Sequence, residues 1–96
     1  MNKITEEKLQ KYFSITKEAL QAAESSDNST SLSKERDDFL DMIKRYISDA
    51  EHFYEKEDLV NAFAALNYAH GWLDAGARLG LFDVGGDNIL FTVDSE

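Results

Sequence analysis

Four side chains spaced along one stretch, Asn67, His70, Asp74 and Arg78, are the residues best placed to do chemistry. On a helix they fall within about 80° of one another and form a row. An imidazole, a carboxylate and a guanidinium in a row can hold a small anion or move a proton. The bland reading is the polar side of an otherwise apolar helix, facing solvent or hydrogen-bonded to a neighbour. Asp74 stands four residues before Arg78, the favourable order for a surface ion pair worth about 0.3–0.5 kcal/mol. The bland reading is the commoner outcome for such an arc.

A second pair, Arg45 and His52 with six residues between them, resembles the Arg-x(4–6)-His motif of HEPN-type endoribonucleases. Arginine would grip a phosphate while histidine moved the proton. Asp49, Glu51 and Glu55 surround the pair and repel RNA, so the motif carries little weight without its structural context. Asp37, Asp38 and Asp41, Glu51 with Glu55, and His52 with Glu55 are helix neighbours that attract a divalent cation only through water. An acidic solvated face explains them better, and no metal site or cofactor is expected. The chain has no cysteine, no His-Glu-x-x-His, no calcium loop, no phosphate loop and no nucleophile elbow.

Ten Lys+Arg against nineteen Asp+Glu give a net charge of −9 over 96 residues. Such a surface repels phosphate backbones. Only the first stretch, with Lys3, Lys8, Lys11 and Lys17, approaches a basic patch, and Glu6, Glu7 and Glu18 dilute it. No nucleic-acid role is expected. Nor is a membrane one, since Asn61, Asn67 and His70 interrupt the longest apolar candidate well short of the roughly 20 residues a span needs. MNKITEEKLQKYF lacks a signal-type apolar core. The expectation is a single cytoplasmic domain covering residues 1–96.

The elements that position these residues are helices. Thr5 with Glu6 and Glu7 opens the first, over about 5–24, with Leu9, Phe13, Thr16, Leu20 and Ala23 on one face. Residues 25–33, SSDNSTSLS, read as a mobile polar loop. The second helix, about 33–55, places Phe39, Ile43, Tyr46, Ala50 and Phe53 on one side. A break at Lys56-Glu57-Asp58 is short enough to require an antiparallel neighbour. The third helix, about 58–79, has fifteen uncharged positions from Leu59 to Leu73 and stops at Gly80. Leu59, Ala62, Leu66 and Ala69 match helix-hairpin packing of the tetratricopeptide kind, without the repeat.

The fold expected is therefore all-α, an antiparallel three-helix bundle. After Gly80, two apolar runs, 81–84 and 89–93, flank Gly85-Gly86-Asp87-Asn88 and predict a short C-terminal strap or hairpin within a tail over 81–96. On the third helix the Tyr68–Trp72 edge lies beyond what two neighbours cover. The tail or another molecule would have to cover it, which makes Tyr68, Trp72, Phe82, Leu90 and Phe91 interface candidates.

The segment DAEHFYEKEDLVNAFAALNYAHGWLDAGARLGLFDV, and YAHGWLDAGARLG above all, resembles a small archaeal family of three-helix bundles catalogued as a domain of unknown function. The resemblance covers about 45–93 and implies the architecture but no activity. Members often carry glycine where Glu57 stands. The sequence thus points to a protein–protein interaction or structural module, homo-oligomeric or with a protein partner. The alternative is a small-ligand binder or enzyme using the His70/Asp74/Arg78 face.

Overall fold

Thr5 starts the first helix by accepting a hydrogen bond from the Lys8 amide (3.1 Å). Glu6 and Glu7 follow at the positive end of the helix dipole. A computed structural model describes residues 4–85, and within it three helices follow one another, α1 (Glu6–Ser25), α2 (Ser33–Glu55) and α3 (Leu59–Leu79). α3 is the central element, making its largest interface with α2 and a smaller one with α1, while α1 and α2 touch least. The expected three-helix bundle is what forms.

The reason is side-chain size. α3 buries Ala62, Ala65, Leu66, Ala69, Leu73 and Gly76. Four of these six are alanine or glycine along with two leucines, so neighbouring backbones approach closely on two sides. α2 contributes Ile43, Ile47 and Ala50, and α1 contributes Leu9, Phe13, Ala19 and Ala23. Pairwise burial of amphipathic faces supplies the stability that isolated helices of this length lack.

The α2–α3 link is tight. The Asp58 amide donates to the Phe53 carbonyl and the Glu57 amide to the Tyr54 carbonyl, both at 2.9 Å, which is the Schellman pattern. That pattern puts Glu57 in the left-handed region, with φ 60°. Asp58 then caps α3, its carboxylate accepting from the Asn61 amide (3.2 Å) and side chain (2.7 Å).

At the opposite end the expected loop is present, and residues 26–32 are stitched together by local hydrogen bonds. The Asn28 side chain accepts from the Thr30 amide (2.9 Å) and hydroxyl (2.6 Å) and donates to the Leu32 carbonyl (3.2 Å). The polar composition serves these local bonds. α1 has no basic residue in its last turn, and Arg36 of α2 supplies the missing cation. Its guanidinium donates to the carbonyls of Ala23 (3.2 Å), Glu24 (3.2 Å) and Ser26 (2.8 Å), and to that of Leu81 beyond α3 (2.8 Å).

Leu81 and Phe82 close this end. Gly80, at φ 89°, lets the chain turn, and the Leu81 amide bonds back to the Gly76 carbonyl (2.9 Å). Phe82 is fully buried with its ring on Gly76 and the Arg36 guanidinium 5.5 Å from its centroid. Phe82 therefore belongs to the core and not to an interface. The Asp83 amide donates to the Asp27 carbonyl (2.8 Å), an isolated antiparallel bridge to the α1–α2 connection. The run 89–93, with Leu90 and Phe91, lies outside the described residues.

Two outcomes are expected in urea denaturation. A Cβ on residue 76 would stand 2.3 Å from the Phe82 ring, so Gly76→Ala lowers stability by about 1–3 kcal/mol. Glu57→Gly, which relieves the left-handed strain, raises it by about 0.5–1 kcal/mol with unchanged m-value.

Candidate functional site

The polar row on α3 faces α1. The Tyr12 hydroxyl donates to Asn67 Oδ1 at 2.7 Å. One turn on, Thr16, fully buried on α1, has its Oγ1 3.4 Å from His70 Nδ1. The Tyr12 ring lies between Phe63 (centroids 5.0 Å apart) and His70 (5.7 Å). Burial pushes the Tyr12 phenol above the ordinary tyrosine range, and the nearby Asp74 carboxylate adds to the rise. Asp74 is half-buried and Arg78 exposed. The row thus divides, with Asn67 and His70 linking two helices and Arg78 lying outward.

Tyr12 and Thr16 were not recognisable from sequence as partners of that row. A hydroxyl in the stripe Leu9, Phe13, Thr16, Leu20 was the available signal, because a buried polar group needs a hydrogen-bonding partner. On the outer side of α2, Arg45 pairs with Asp41 (3.2 Å) and both are exposed. The His52 ring lies against Phe53 (6.3 Å between centroids). Asp37 and Asp38 are exposed, and among the described residues no group of three or more His, Cys, Asp or Glu is arranged to hold a metal.

On the opposite side of α3, the Tyr68–Trp72 edge forms an apolar seam with α2. Phe39 meets Trp72 edge-on (4.7 Å, 83°), and Tyr46 stacks on Tyr68 (5.3 Å, 19°). Beside these pairs is a depression of about 330 Å³ lined by Phe39, Asn67, Tyr68, Gly71, Trp72 and Ala75. A smaller one of about 190 Å³ continues it, with Tyr68, Tyr46, Phe53 and Asp49 in its walls. Tyr68 and Leu79 are each 62% exposed. The described part of the tail, 81–85, crosses the end of the bundle at Gly76 and Asp27. Phe39, Tyr46 and Phe53 recur every seven residues, so α2 contributes a whole aromatic stripe to the seam. Read from sequence alone, that stripe belongs to the buried face.

The family described as "Protein of unknown function (DUF357)" matches residues 11–82. The chain belongs to the DUF357 family. Its match begins well before the segment that carries the resemblance in the sequence, taking in most of α1, and it ends on Phe82. Those limits span the described core from Phe13 to Phe82 and leave out Leu9, the first buried residue of α1. No curated protein and no solved structure shows significant similarity to this DUF357 chain. Among the described residues no helix is long and apolar enough to cross a membrane.

The raised phenol of Tyr12, held up by burial and by Asp74, gives a pH dependence of definite sign. A phenol held above its ordinary value contributes stability that is complete below about pH 10 and lost as pH rises through the raised value. Tyr12→Phe is expected to cost about 0.5–1 kcal/mol at neutral pH and to flatten the alkaline decline. Urea unfolding of both proteins from pH 7 upward measures it.

Proposed function

We propose that this chain is a protein–protein interaction or structural module whose contact surface is the apolar seam between α2 and α3. The observation that carries the reading is a row of aromatic side chains, Tyr68 exposed and Phe39, Tyr46 and Trp72 partly so, beside a shallow apolar depression. Tyr68 is 62% exposed while stacked on Tyr46, and Trp72 lies against Phe39 at the depression's wall. A contiguous apolar surface of that kind marks a contact site more often than a catalytic one. The charge of −9 favours a protein over nucleic acid as the partner. A cytosolic setting fits a chain without cysteine.

The second reading, a small-ligand binder or enzyme built on His70, Asp74 and Arg78, draws on the half-buried imidazole and carboxylate side by side. It is the weaker one, because Tyr12 and Thr16 already stand against Asn67 and His70.

A photo-crosslinking residue at Tyr68, introduced in the full chain in its own cells, is expected to give a discrete protein adduct. The same residue at Ser48, exposed on the outer side of α2, gives none. Absence of an adduct at 68, or equal labelling at both positions, would refute the reading.

A further inference from the structure

Two glycines of α3 differ in a way that identifies what the seam accepts. Gly76 is explained inside the chain, since the Phe82 ring fills the space of its missing side chain. Gly71 is not explained by the described residues, none of which a Cβ there would meet within 4 Å. Glycine in a helix interior costs about 1 kcal/mol against alanine, and among the described residues no contact offsets that. Gly71 lies in the floor of the larger depression, between Tyr68, Trp72 and Ala75. Ala64, four residues before Tyr68, is in the wall of the smaller one. The α3 side of the seam therefore offers small, uncharged positions over which another backbone can pass closely.

The α2 side is different. Glu35, Met42 and Asp49 each precede an aromatic of the stripe by four residues, and so flank it along the helix. Asp49 lies in the wall of the smaller depression. Asp38, eleven residues before Asp49, lies in line with it on the helix, and Glu35, Asp38 and Asp49 are all exposed, while Arg45, farther round toward the outer side, is engaged by Asp41. The α2 wall is aromatic with acidic residues along its border, and the α3 wall is uncharged.

We propose that the occupant is an amphipathic helix of another protein, with small or aliphatic residues on its buried face and lysine or arginine along the side that meets α2. This rests on the interaction reading above and names the partner's chemistry. A helix suits a straight groove between two antiparallel helices with small residues on one wall, where interaxial distances follow the size of the side chains in contact. The basic flank follows from complementarity to Glu35, Asp38 and Asp49, which also sets the orientation of the bound helix. A second copy of this chain fits poorly. A twofold contact brings the same patch against itself, setting acidic flank near acidic flank in a chain of charge −9. The lysine-bearing helix, α1, is already docked on its own α3.

Trp72 is the only tryptophan and lines the groove, so its fluorescence reports occupancy. Synthetic helical peptides as long as α3, sharing a Leu/Ala face and differing only in Lys, Gln or Glu on one flank, are titrated into the full chain. The Lys-flanked peptide is expected to shift Trp72 emission saturably and to bind at least about tenfold more tightly than the Glu-flanked one, with the gap closing at high salt. Gly71→Leu abolishes the shift without loss of helicity, and Glu35→Lys/Asp38→Lys/Asp49→Lys reverses the preference. Equal affinities, or a preference for the Glu flank, overturn the proposal. If no peptide binds and the chain sediments as a dimer that Gly71→Leu dissociates, the occupant is a second copy, and this inference falls while the interaction reading stands. If no peptide binds, the chain is monomeric and Tyr68 gives no adduct, both fall.

Discussion

One guanidinium holds the end of the bundle together. α1 ends with no cation in its own last turn, and Arg36 reaches its final carbonyls from the first turns of α2. The same group bonds the Leu81 carbonyl and covers the Phe82 ring. Charge-assisted bonds to several carbonyls at once suit a planar fork of donors, which a lysine ammonium does not provide. Three segments distant in sequence meet at one side chain, so the ends of α1 and α3 are set relative to each other by α2. Through that junction Phe82 is pressed onto Gly76, and the axial position of α3 is fixed.

That position decides which surfaces α3 shows. Its polar arc comes to rest against Tyr12 and Thr16, where the side chains join α1 to α3. Its aromatic edge comes to rest beside Phe39 and Tyr46, where two neighbouring helices leave it partly open. A bundle of three helices covers its central member on two sides only. The openness of the Tyr68 side thus follows from the number of helices and from the breadth of the apolar arc on α3.

The helices were legible in the sequence because apolar residues recurred at helical spacing and because Thr5, Asp58 and Gly80 mark their ends. At Glu57 the residue type itself gave no sign of the positive φ, and the one hint was the glycine that the resemblance implies there. The bonding of the α1–α2 connection was not legible, since the bonds that secure its start come from Arg36, ten positions beyond Ser26. Phe82 misled for a related reason. An apolar residue after a helix stop looks the same whether it is exposed or buried until the glycine beneath it is identified. The polar row could be read as a row, but Tyr12 and Thr16, which give Asn67 and His70 their partners, lie more than fifty residues away.

An odd number of antiparallel helices also has a geometric result. Glu6 accepts from the Tyr54 hydroxyl (2.7 Å) at one pole of the bundle, while Leu81 meets Arg36 at the other. Glu6 and Leu81 therefore lie at opposite poles, separated by about the 30 Å length of a helix of this size. The bundle is thus a strut of fixed span, with the aromatic flank presented sideways between its two poles.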